Sequence, residues 1–169
     1  MAAASRPSPA PRDLPPEVLE PGFQAWLALV RTYGSVSKVL DRRLTQDLGI
    51  SLAWFELLIQ LHTAPLGRRR LLDLSQRLVV SKASITKLVD RVERAGLVRR
   101  EVSETDRRAV YAALTDNGRT VLAKALPLQV ANVRECFSGV LDEAEQAALT
   151  EILGKVAARH REDPPPDVG

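Results

Sequence analysis

The stretch that decides the fold covers residues 71–122: LLDLSQRLVVSKASITKLVDRVERAGLVRREVSETDRRAVYAALTDNGRTVL. Its first part predicts a short helix over about 72–78, a turn at Val79 and Val80, and a second helix that Ser81 can cap and that ends near Ala95. Gly96 stands where a left-handed C-cap is wanted. Two strand-like runs follow, residues 97–102 and 109–114, around the polar tip Ser103-Glu104-Thr105-Asp106-Arg107-Arg108. That pattern is a β-hairpin. Thr115 can cap the helix that comes next.

Outward from this stretch, apolar residues recur at helical spacing. Phe23, Trp26, Leu27, Val30, Tyr33, Leu40, Leu44 and Leu48 make one stripe, stopped by Gly49. Ser51 can cap a helix through Trp54, Phe55, Leu57, Leu58 and Leu61 to about Thr63. Pro65 and Gly67 break it, and Arg68-Arg69-Arg70 reads as a basic loop. Downstream, Val121, Leu122, Leu126, Val130, Val133, Phe137, Val140 and Leu141 form another stripe, with Pro127 as a point for a kink. A last helix over about 142–160 carries Leu149, Ile152, Leu153 and Val156. The expected fold is mainly α with a small β-wing: a winged helix-turn-helix between long terminal helices. Residues 1–21, with six prolines, and residues 163–169 are expected to be tails without a helix.

The helix from Ser81 to Ala95 has two unlike sides. Ile85, Leu88, Val89 and Val92 share the face that can pack inward. Ser84, Lys87, Arg91 and Arg94 share the other, with Lys82 and Thr86 at its edges. A major groove about 12 Å wide admits such a helix, and hydroxyl and basic side chains then reach base edges and phosphates. Lys82, Ser84 and Thr86, early in the helix, are expected to enter deepest, and Arg91 and Arg94 to hold phosphates. Arg107 and Arg108 on the hairpin tip fit a minor groove. Asp106 would repel phosphate, so its expected work is to fix the direction of the Arg108 guanidinium.

Charge distribution agrees. Residues 68–108 hold 12 Lys/Arg against 6 Asp/Glu, while the whole chain carries only +3. Positive charge gathered in one quarter of a chain is a footprint for polyanions. Aromatics make up only 4% of the chain against 45% hydrophobic residues, so the core must be aliphatic, which suits helices. The N-terminus lacks the apolar run of a signal peptide, no stretch approaches the roughly 20 apolar residues that span a bilayer, and the single Cys136 excludes an internal disulfide. A cytoplasmic protein without a membrane partner is expected.

With these residues read, residues 52–122 resemble the signature region of the MarR family of bacterial transcription regulators. The pieces that carry the resemblance are the helix-turn-helix spacing, LVDRVERAGLVRR, the Asp106-Arg107-Arg108 tip, and LTDNG opening the next helix. The resemblance implies a homodimer in which N- and C-terminal helices of two subunits intertwine. On that basis the chain divides into a tail (1–21), an N-terminal dimerisation helix (22–50), a DNA-binding lobe (51–120), C-terminal dimerisation helices (121–162) and a second tail (163–169). It also implies a pseudo-palindromic operator on double-stranded DNA, repression more often than activation, and a small-molecule cleft between dimerisation helices and lobe. Trp54, Glu56 and His62 stand where one wall of that cleft would lie.

Two other readings stay open. A winged-helix module could bind a protein through the same polar helix without touching DNA. Cys136 could sense oxidants, although its neighbours Val133, Phe137 and Val140 suit a small buried hydrophobe better. His62 and His160 are far apart, and one Cys makes no thiolate metal site. There is no Walker loop, no Gly-x-Ser-x-Gly and no catalytic His/Asp/Ser spacing. Neither an enzyme nor a bound cofactor is expected.

Overall fold

The structure, a computed structural model, describes residues 15–78, 82–102 and 109–161. The elements are α1 (Pro21–Leu48), α2 (Leu52–His62), β1 (Arg68–Arg70), α3 (Leu71–Arg77), α4 (Lys82–Arg94), β2 (Val98–Val102), β3 (Val110–Leu114), α5 (Asp116–Cys136) and α6 (Glu143–Arg161). The chain divides into two compact units, residues 1–35 and 36–169.

In the first unit, a turn of 3-10 helix at Pro16–Leu19 lies within the stretch expected to hold no helix. Pro16 sits in the first turn, where a missing N–H costs nothing, so proline does not forbid it. Beyond it, Phe23 and Trp26 place their ring centroids 5.5 Å apart, tilted by 42°.

The second unit holds the winged lobe. Ser51 caps α2 by accepting from the Trp54 N–H, and Thr115 caps α5 by accepting from the Gly118 N–H. Gly49 and Gly96 both take positive φ, 68° and 72°, so each ends its helix as the sequence implied. Leu44, Leu57, Leu58, Leu61, Leu74, Val89, Val92, Leu114 and Leu122 make up most of the fully enclosed core. That core is aliphatic, as a chain poor in aromatics requires.

The sheet corrects the expectation of a basic loop at residues 68–70. Those three residues form β1, and the strand order is β1-β3-β2, all antiparallel. Arg68 pairs with Ala113 and Arg70 with Tyr111, while Val98 pairs with Leu114 and Val102 with Val110. A strand of three arginines has no hydrophobic alternation to announce it. Only the free edge of β3 makes it a strand.

Two further differences concern helices. α5 runs unbroken from Asp116 to Cys136 with Pro127 inside it. Cys136, its last residue, is only partly buried, because the chain turns away there. The turn at Val79 and Val80 and the cap at Ser81 lie outside the described residues, as do residues 1–14 and 162–169.

Candidate nucleic-acid interface

α4 separates its two sides as the sequence demands. Ile85, Leu88, Val89 and Val92 are at most 3% exposed, whereas Ser84, Thr86, Lys87, Arg91 and Arg94 are on the surface. The Arg91 and Arg94 Nε groups donate to the carbonyls of Lys87 and Asp90, one turn back, at 3.3 and 3.2 Å. These bonds lay both arginines along the outer side of the last turn, where cations also answer the helix dipole. Lys82 opens the helix, with its side chain outside the described set. Asp106, Arg107 and Arg108 lie outside the described residues too.

Arg100, which sequence reasoning did not single out, ties α4 to the hairpin. Its backbone N–H donates to Glu93 Oε1 and its Nη1 to Glu93 Oε2, both at 2.7 Å. Its Nη2 donates to the Thr86 carbonyl at 3.3 Å and pairs with Asp90. One guanidinium thus joins three positions of α4 to strand β2. The signal was a lone Arg in an Arg-Arg pair, which carries no mark of its partner.

LTDNG has a steric reason. The Thr115 hydroxyl donates to the Gly96 carbonyl at 2.7 Å, and the Thr115 N–H to the Leu97 carbonyl at 3.2 Å. The first turn of α5 therefore lies on the Gly96–Leu97 backbone. A Cβ at residue 118 would overlap the Leu97 carbonyl oxygen, so only glycine fits.

The sheet face turned away from α4 is also basic. Arg68 donates to Glu101 Oε2 at 3.0 Å, and Arg99 donates through Nε to Glu101 Oε1 at 2.9 Å. Arg68, and then Arg99, hold the Glu101 carboxyl below the usual carboxylate range. The guanidinium carbons of Arg68 and Arg70 stand 5.3 and 5.6 Å from the centroid of the Tyr111 ring, and Arg70 Nε donates to the Tyr111 hydroxyl at 2.9 Å.

A helix of this polarity next to a hairpin in this order is matched by known proteins. The MarR family model matches residues 48–109. The regulator YkoM of Bacillus subtilis, an uncharacterised HTH-type transcriptional regulator, is 32% identical over 82% of this chain and 88% of its own. The chain belongs to the MarR family. Among solved MarR family structures, AbsC of Streptomyces coelicolor superposes with a TM-score of 0.76 at 31% identity, over 86% of this chain and 98% of that one. A second MarR family regulator from the same organism, solved in complex with DNA, gives 0.76 at 30% identity over 94% and 95%. As a MarR family member the protein is a DNA-binding transcriptional regulator and not an enzyme.

The three residues expected near an effector cleft are spread along α2. Trp54 and Glu56 are half-buried and His62 is exposed. Burial pushes the Glu56 carboxyl above its ordinary range. A separate groove of about 260 Å³ lies against α5, lined by Phe55, Leu126, Gln129, Val130, Val133, Arg134 and Ser138. Gln129 is 7% exposed, and its Oε1 has no hydrogen-bond partner among the described residues. Next to it, Arg43 makes a two-pronged ion pair with Glu135 at 2.7 Å and donates to Asn132 Oδ1 at 3.1 Å.

Proposed function

We propose that this MarR family protein is a homodimeric, sequence-specific repressor that binds a pseudo-palindromic operator and is released by a small-molecule effector. The observation that carries the reading is the two-sided α4, its aliphatic side sealed in the core and its hydroxyl and cationic side on the surface. Lys82, Ser84 and Thr86 read bases, Arg91 and Arg94 hold phosphates with Lys87 on the same side of the helix, and Arg107 and Arg108 enter the minor groove, Asp106 fixing the direction of Arg108. The related regulator solved on DNA supports the partner class.

Dimerisation rests on apolar surface at both ends of the chain. Trp26 is 54% exposed and Tyr33 57% in the first unit, and Val130 is 58%, Ile152 57% and Val156 53% in the second. Large apolar side chains left open to solvent, taken in each unit by itself, mark an interface. Two copies of α4 must then stand about 34 Å apart to enter successive major grooves. An effector that prefers another spacing weakens operator binding by its differential affinity, commonly ~1–3 kcal/mol. The α5 groove, apolar at Phe55, Leu126, Val130 and Val133 with Gln129 and Arg134 in its wall, supports a small, largely apolar ligand that carries a polar group. No helix is long and apolar enough to cross a membrane among the described residues, and the place of action is the cytoplasm, where the operator is.

Selection of bound duplexes from random DNA by the purified protein tests the whole reading. The expected product is a two-fold symmetric site whose affinity falls linearly on a log–log plot against salt. Lys87→Ala and Arg108→Ala each weaken binding to that site. Unaltered affinity of both variants at low salt refutes the assignment of the interface.

A further inference from the structure

β1 and β2 both run toward the wing tip, and β3 runs away from it. The register therefore places Arg70, Tyr111 and Glu101 side by side at the tip end of the sheet, one pair behind Val102 and Val110. Arg68, Ala113 and Arg99 form the next row on the same face, because side chains two residues apart share a face. Arg100 occupies the opposite face and reaches α4. Among the described residues, the outer face thus brings Arg68, Arg70 and Arg99 together with Glu101 at the tip end of the sheet, on the side that looks away from α4.

This arrangement exceeds what a structural ion pair needs. Glu101 is shared between Arg68 and Arg99, which are 45% and 60% exposed, so one negative charge answers two cations that both remain open to solvent. Tyr111 braces Arg68 and Arg70 against its ring, holding each plane in place. A fixed, weakly hydrated guanidinium fork is the group that suits phosphate, and ordering it beforehand lowers the entropy lost on binding.

We propose that this outer face of the wing is a second phosphate-binding surface, which grips the DNA backbone outside the half-site that α4 and the wing tip occupy. The inference rests on the DNA-binding reading above and adds a flanking contact that lengthens the footprint without reading sequence. Bases do not meet this face, so the added affinity is indifferent to the flanking sequence.

The test uses the full chain and the site selected from random DNA, prepared as two duplexes. One ends at the wing contacts; the other continues about one helical turn of ~10 bp beyond them at each end. The wild-type protein binds the longer duplex at least tenfold tighter at low salt. Its log K against log salt is steeper by about 2, since each neutralised phosphate adds roughly 0.9 to the slope. Arg68→Gln/Arg70→Gln matches the wild type on the short duplex and loses the gain on the long one. Arg99→Gln, which leaves β1 intact, loses part of the same gain. The idea is overturned if lengthening brings the wild type nothing, if the double variant keeps the gain, or if it weakens on both duplexes equally. The last result would mean that the arginines merely hold the wing. A wild type that does not bind even the short duplex strikes down the DNA-binding reading itself.

Discussion

Glu93 uses both of its carboxylate oxygens on one residue, taking the backbone N–H of Arg100 on Oε1 and the guanidinium on Oε2. α4 and the wing are separate elements that, on the proposed function, must meet one duplex together. This pair fixes their mutual angle. Replacing Arg100 by Ala removes the clamp to Thr86, Asp90 and Glu93 and is expected to destabilise the fold by about 1–2 kcal/mol, since the pair is partly solvated. DNA affinity should fall further than stability alone explains, because a misplaced wing gives up contacts that the folded lobe could still make. Urea denaturation and titration of labelled operator, run on the same variant, separate the two effects.

Gly118 is expected to tolerate no side chain. Gly118→Ala drives a Cβ into the Leu97 carbonyl, a backbone atom that cannot rotate away. Moving the start of α5 off the Gly96–Leu97 turn costs about 1–3 kcal/mol, the range for overpacking. Thermal unfolding should show a drop of several degrees, whereas Gly154→Ala, with open space around it, should show none.

Glu56 gives a pH dependence whose sign follows from burial. Its carboxyl titrates above the ordinary carboxylate range in the folded protein, because desolvation disfavours the charge. The folded state therefore holds this proton more tightly than the unfolded chain does. The contribution to stability is intact below the unfolded pKa and is lost as pH rises through the folded one. Glu56→Gln is expected to raise stability at neutral pH and to change nothing near pH 4. Denaturation curves at the two pH values decide it; a variant that gains equally at both would show that charge burial is not the cause.

Leu66 is the one described non-glycine residue with positive φ, at φ 60° and ψ 15°, and it is 85% exposed. It contributes little packing and bears the left-handed cost of roughly 1–2 kcal/mol. Leu66→Asn should recover about 0.5–1 kcal/mol, since Asn visits that region readily. A raised urea midpoint with an unchanged m-value is the expected result.

The sequence by itself determined the α-helices, the caps at Ser51 and Thr115 and the two-sided α4. Each of these follows from neighbours within a few residues: Ser51 and Thr115 hydroxyls reaching forward, Gly49 and Gly96 accepting positive φ, and apolar residues recurring every third or fourth position. The resemblance to the MarR family rested on the same local pieces, and the comparisons agree with it. Other features were settled only when distant segments met. β1 exists because β3 offered it an edge, 41 residues away in the pairing of Arg70 with Tyr111. Arg100 became a clamp, and Arg68, Arg99 and Glu101 a cluster, because strand register put them beside partners that spacing along the chain does not reveal. Local backbone preference is written in short windows of sequence. The partner of a charged side chain is decided by packing, and a long arginine can pair with whatever the fold brings within its reach.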